Sequence, residues 1–264
     1  MAPQSRNIPI LRKPTPQDFR TSLALGVQDF RAAPLPAFFF ASFFALAGMV
    51  MALITYWTGQ TFWLVLAVLG FPLIGTLGAV GFYDISRRLS QGETILLRDV
   101  IRFVWTLRKG QLPWLATIII VIFLFWFFLG HMIFALFLGH SPMTNISSSF
   151  GVFLSSQGVM MLVLGSIIGA LFATLVFALS IHAIPMLLDR DIDFMTASLT
   201  SISAVADSFW RYLLWGLFIG VMTLLSMLPF FLGLFITMPI LGHATWHLYH
   251  RLSDEGAKEL SQEH

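Results

Sequence analysis

Cysteine is absent from the 264 residues. That excludes disulfides, thiolate metal sites and a cysteine nucleophile, and leaves any metal to His, carboxylate or carbonyl ligands. Charge is scarce as well. Asp, Glu, Lys and Arg make up 11% of the chain against 57% hydrophobic residues, where a soluble globular domain carries about a quarter charged residues. None of these charged residues falls in the middle of a long apolar run, so the buried carboxylate relay of a proton-driven carrier is missing. A Walker loop, a dinucleotide fingerprint and a Gly-x-Ser-x-Gly elbow are also missing, which removes the usual sequence marks of nucleotide and serine-hydrolase chemistry. The Met-Ala start lacks the Gly needed for myristoylation, and there is no terminal Cys to prenylate.

What is present is apolar length. Mean hydropathy is +0.83, more apolar surface than a core of this size can hide, so lipid is the solvent for most of the chain. A helix crosses the hydrocarbon with about 20 apolar residues, and runs of that order lie near 34–56, 61–83, 112–139, 155–187, 212–228 and 230–250. The last two are separated only by Ser226-Met227-Leu228-Pro229, with no charge at the turn. Pro229 lacks an N–H and clashes with the preceding turn, which predicts a tight hairpin. The first 33 residues are polar and basic, and the first apolar run comes too late for a cleaved signal peptide, so the start is expected to be retained.

The cations set the orientation. Five Lys and Arg precede the first run, six lie between the second and third, two between the fourth and fifth, and two follow the sixth. The other three loops have none. By the positive-inside rule both termini are expected in the cytoplasm. A net charge of +2 therefore reads as topology, and no nucleic-acid partner is expected. The uncharged outer loops, including the Asn145-Ile-Ser triplet, leave little material for an external domain.

Between the spans, three segments carry an apolar stripe at helical spacing: Phe19, Leu23, Val27 and Phe30; Leu96, Val100, Val104 and Leu107; and Phe194, Ser198, Ile202, Val205 and Phe209. The second set sits 77 positions after the first, as Leu112-Pro113 sits 77 after Leu35-Pro36. The expected fold class is an all-α membrane protein of six transmembrane helices in three pseudo-repeats, each an amphipathic cytoplasmic helix followed by a transmembrane hairpin. The amphipathic helices are expected at 17–31, 95–108 and 194–209, lying along the interface. Thr15 is a candidate N-cap for the first, with Pro16 in its first turn and Asp18 near its positive end. The expected division is a flexible cytoplasmic tail (1–14), one membrane domain (15–252) and a second cytoplasmic tail (253–264). Tyr56, Tyr83, Tyr212 and Tyr249, with Trp57, Trp63, Trp114, Trp210 and Trp246, fall near predicted span ends, the position of headgroup anchors.

Ionisable groups at membrane depth are the candidates for function. His131 and His140 belong to the outer part of the third run. His182, His243, His247 and His250 belong to the inner parts of the fourth and sixth. His243, His247 and His250 share one helix face, a spacing that can grip a metal or face a haem, or bond neighbouring helices. No His-Glu-x-x-His arrangement accompanies them, and no catalytic residue or resident metal is expected. Pro72, Pro185 and Pro239 lie in inward runs, where a freed carbonyl either lines a passage or bonds a neighbour. Asp189-Arg-Asp-Ile-Asp193 lacks the Gly and Glu of a Ca2+ loop and is expected to cap the next helix.

At Pro72-Leu-Ile-Gly, Tyr83-Asp-Ile-Ser-Arg-Arg-Leu, Leu187-Leu-Asp-Arg and Leu241-Gly-His-Ala-Thr-Trp-His-Leu-Tyr-His-Arg-Leu, the chain resembles a bacterial family of predicted integral membrane proteins catalogued as domain of unknown function 2189. The resemblance extends from near residue 30 onward. It implies a multi-pass bacterial inner-membrane protein and carries no activity to transfer. Two readings stand: a non-enzymatic accessory or scaffold protein with a membrane or cytoplasmic protein partner, in which no cofactor is expected; or a passive small-molecule permease or respiratory accessory protein using haem or a His-ligated metal at the His cluster.

Overall fold

The computed structural model describes residues 8–59, 78–139 and 150–253. Helix starts follow proline and short polar caps. α1 (Pro16–Ala32) opens on Thr15, whose hydroxyl accepts from the Asp18 N–H while the Asp18 carboxylate accepts from the Thr15 N–H, a capping box with Pro at the first turn. One non-helical residue, Ala33, leads into α2 (Pro34–Thr58), which stops at Gly59 in the left-handed region at φ 67°. α3 (78–90) follows. α4 (Leu97–Thr106) runs through a 3-10 turn, Leu107–Lys109, into α5 (Leu112–Leu138). α6 (Ser156–Ser180) and α7 (Ala183–Asp189) are followed by α8 (Phe194–Asp207), capped by Asp193 onto the Thr196 N–H. α9 (Phe209–Met227) and α10 (Leu234–Leu252) close the described chain, in which no strand occurs.

Among the described residues, four helical stretches are long and apolar enough to cross a membrane: α2, α5, Ser156–Asp189 and α9. Of the run at 61–83 only the last residues are described. Trp63, Pro72, His140, the Asn145 triplet and residues 1–7 and 254–264 of the two tails lie outside the described residues. The α5 and α6 helices show mostly apolar side chains outward, among them Phe125, Phe128, Leu162 and Leu171. Lipid is the medium that such a face needs.

α10 is built differently. Its second half carries Gly242, His243, Thr245, His247, His250 and Arg251, too polar for a lipid-facing span, and 13 of its 19 residues are buried. Helices α1, α2, α7 and α9 surround it, so its polar groups meet protein. Trp246, Tyr249, Tyr212, Phe82 and Leu248 are among the fully buried side chains in and around it. Tyr83, Tyr212, Trp246 and Tyr249 are thus core residues and not the headgroup anchors expected from their place in the chain. Tyr56, Trp57, Trp114 and Trp210 are exposed, as anchors should be.

The packing of α1 also departs from expectation. Its buried face is the small and polar one, Asp18, Ser22, Gly26 and Asp29, while the apolar stripe Phe19, Leu23, Val27 and Phe30 is only half-buried. The reason is α10. A Cβ on Gly26 would sit 2.5 Å from the Ile240 carbonyl oxygen and 2.8 Å from the Ala244 nitrogen, so the two backbones meet there as only glycine permits.

Two breaks follow from proline. Pro185 cannot donate to Ile181 and crowds its carbonyl, and the α6–α7 helix opens at Ile181 and His182. Ser201 repairs the gap, its hydroxyl accepting from the His182 N–H (3.2 Å) and donating to the Ala178 carbonyl (2.6 Å). At Pro229 the chain makes the expected hairpin, with Phe230 and Phe231 at φ 52° and 64°. The Phe231 N–H bonds the Met227 carbonyl at 3.0 Å, the Leu232 N–H bonds Pro229 at 3.1 Å, and Ser226 bonds Thr237. The turn therefore satisfies its own polar backbone, which an apolar setting requires.

Candidate functional site

The second half of α10 brings two of the predicted histidines, His243 and His247, onto α3 and α1. His243 is fully buried. Its Nδ1 lies 2.8 Å from Ser86 Oγ and 3.0 Å from the Phe82 carbonyl oxygen, both on α3. Close approach of α3 is allowed by Gly242, whose Cβ would meet the Phe82 ring at 2.7 Å. One turn on, His247 Nε2 lies 2.7 Å from Asp29 Oδ2 on α1. Ser86 also hydrogen-bonds Asp29.

Proton counting fixes the pattern. The Ser86 hydroxyl has one hydrogen, and the carboxylate is its strongest acceptor. Nδ1 of His243 is then the protonated nitrogen, donating to Phe82 O and Ser86 Oγ, while His247 donates from Nε2 to Asp29. The result is a buried chain, His247 to Asp29 to Ser86 to His243, tying α10 to α1 and α3. Burial alone would raise the Asp29 pKa, but the hydrogen bond and charge of His247 and the Ser86 hydroxyl outweigh it and hold the carboxyl below its usual range. Nε2 of His243 has no hydrogen-bond partner among the described residues.

His182 and His250 go elsewhere. His182, at the α6–α7 break and fully buried, holds the Tyr212 hydroxyl of α9 at 2.7 Å through Nε2, with the two rings edge to face. His250 stacks on Trp246 with ring centroids 6.5 Å apart. The ring nitrogens of His182, His243 and His247 are thus turned to three different helices. Among the described residues no three His, Asp or Glu side chains lie close enough to share an ion.

Around this chain lie ion pairs that the sequence reading did not single out. Asp84 is fully buried between Arg87 (2.6 Å) and Arg88 (2.8 Å). The Tyr249 hydroxyl donates to Asp189 at 2.8 Å. Arg12 grips Asp18 with both guanidinium nitrogens, at 2.8 and 2.6 Å, and Arg251 approaches the same carboxylate at 3.5 Å. Burial would raise the Asp18 pKa, yet Arg12 and Thr15 hold it well below the usual carboxylate range. The Arg12 N–H bonds the Leu252 carbonyl at 3.0 Å, and Arg211 bonds the Pro14 carbonyl at 2.5 Å. The residues before α1 are therefore fastened to the ends of α9 and α10. Asp29 was not singled out from the sequence, and nothing local points to Ser86 or Tyr212 as partners.

Apart from the histidines, a hollow of about 430 Å³ opens between α3, α5, α6, α9 and α10. Ile119, Trp126, Phe172 and Met238 line it, with Ser180, Thr223 and Thr245 as isolated hydroxyls. Its chemistry suits an apolar guest.

Residues 64–189 match the family model DUF2189, described as a predicted integral membrane protein. This stretch is a DUF2189 region. It takes in Pro72-Leu-Ile-Gly, Tyr83 to Leu89 and the α5–α6 hairpin, so Ser86, Asp84 and His182 fall inside it. His243, His247 and Asp29 lie outside the DUF2189 match, although Ser86 binds them together. Searches of curated proteins and of solved structures return no match.

Proposed function

We propose that the chain is a six-span protein of the bacterial inner membrane, with both termini in the cytoplasm, which works without catalysis as an accessory or scaffold protein. The observation that supports this is the bonding of the core histidines: His182 to Tyr212, His243 to Ser86 and His247 to Asp29. Each joins separate helices, the role polar groups play inside a bundle. α10 has 19 residues, about 28 Å at 1.5 Å per residue, enough to cross when neighbours shield its polar side. α1, α4 and α8 each lead directly into a long helix, as three copies of one unit would. The exposed apolar face of α5 and α6 offers a surface to lipid or a membrane partner.

The topology predicts that reporter fusions at residues 95, 200 and 260 are active inside and a fusion at 145 is active outside. An outside signal at 260 overturns the even span count. The functional reading predicts that protein purified in mild detergent carries no stoichiometric metal or visible chromophore, and co-purifies with a discrete protein partner. A haem spectrum or bound metal that disappears in His243→Ala/His247→Ala would replace it with the respiratory accessory reading. The apolar hollow favours a second reading, a passive permease; uptake of a small apolar solute into vesicles, blocked by Gly216→Phe, would establish it.

A further inference from the structure

We infer that the groove between α2 and α4 binds an anionic phospholipid, acyl chain inside and phosphate on the cations of α4 and of the 3-10 turn that follows it. The groove encloses about 440 Å³ and is lined by Phe39, Phe43 and Phe44 of α2 and by Ile101, Val104 and Trp105 of α4. Trp105 and Ile101 are 64% and 40% exposed, so the wall it presents is open to a long flexible chain. Cations rim it. Arg108 lies over the Trp105 ring at 4.1 Å, at the mouth of the groove, and exposed Arg102 follows Ile101 directly on α4, with exposed Lys109 beside Arg108.

These three cations have no carboxylate partner among the described residues. Asp99 is engaged by Arg98 at 3.4 Å, and Glu93 by Arg88 at 3.0 Å. By contrast, the half-buried Arg12, Arg87, Arg88 and Arg251 are paired with buried aspartates. An apolar slot beneath unpaired guanidinium and ammonium groups is complementary to a phosphate joined to a hydrocarbon chain. Neither half of the site alone selects a lipid. A soluble anion has no use for the groove, and a zwitterionic lipid gains less from the rim. The inference needs only that the chain resides in a bilayer; it does not depend on the scaffold role.

Native mass spectrometry of the delipidated full chain tests it, with phosphatidylglycerol and phosphatidylcholine of identical acyl chains as probes. We expect phosphatidylglycerol to be retained several-fold more than phosphatidylcholine, and the excess to vanish in Arg102→Gln/Arg108→Gln/Lys109→Gln. Glycerophosphoglycerol, the headgroup without chains, should not displace the lipid. Equal retention of the two lipids, an unchanged excess in the variant, or displacement by the bare headgroup would each overturn the site. A second measurement needs no cationic variant: brominated phosphatidylglycerol should quench the emission of Trp105, obtained as wild type minus Trp105→Phe, more strongly than brominated phosphatidylcholine. Equal quenching by the two would also overturn it.

Discussion

Replacing Gly26 with leucine is expected to detach α1 from the bundle. The site has no give. The atoms that a Cβ would meet at 2.5 and 2.8 Å are the backbone oxygen of Ile240 and the backbone nitrogen of Ala244, inside a buried helix, where no rotamer change can relieve the overlap. Inserting methylenes into a packed site typically costs about 1–3 kcal/mol, and leucine against fixed backbone falls at the upper end, about 3 kcal/mol. For a chain of this size that corresponds to a fall in Tm on the order of 10 °C. Alanine tests the sign. In an isolated helix Ala is better than Gly by about 1 kcal/mol, so a Gly26→Ala protein that melts earlier shows that interhelical distance, not helix propensity, decides. The local readout is trypsin: Arg20 and Arg31 on α1 should become cleavable in Gly26→Leu well before the rest of the protein. Unchanged melting and unchanged protection would mean that α1 does not pack on α10 as described.

Features set by neighbouring residues were readable from the sequence. The Thr15–Asp18 cap, the Asp193 cap, the starts of α2 and α5 beside proline, and the turn at Pro229 depend on residues at most a few positions apart. The face that α1 buries was not readable, because the apolar stripe is the normal predictor of burial. Here α10 presents Ala244, His247 and Arg251, and the small polar face of α1 fits them better than Phe19 or Phe30 would.

The same distance in sequence hid the site. His182, His243 and His247 were recognisable as ionisable groups in apolar runs, but their partners lie 30, 157 and 218 residues away. No spacing rule reaches that far. Aromatic residues near run ends failed for a related reason: the chain position that suits a headgroup anchor also suits a residue where helices continue into a packed layer. Exposure separates them, with Trp246 at 1% and Trp57 at 77%, and exposure depends on neighbours the local sequence does not name.

Removing the carboxylate of Asp29 should be the most costly side-chain truncation at the candidate site. Asp29 and His247 are each less than one-tenth exposed, and truncating one member of a buried pair costs about 3–5 kcal/mol because the other is left without its partner. Asp29→Ala would strand both the His247 N–H and the Ser86 hydroxyl. Asp29→Asn keeps the shape and one acceptor but offers its amide to a second donor, so its loss should be intermediate. In a double-mutant cycle with His247→Leu the losses should be strongly non-additive, since the two side chains share one bond. The pH dependence has a definite sign. Asp29 is held below its unfolded value of 3.8, so its contribution is fully present above about pH 4 and is lost as pH falls through the lower folded value. Asp18 titrates in the same direction, and the difference between wild type and Asp29→Asn isolates the pair. That difference in stability should shrink as pH falls below about 4. A difference that instead grows on acidification, or an additive cycle, would mean that the His247–Asp29 bond does not fasten α1 to α10.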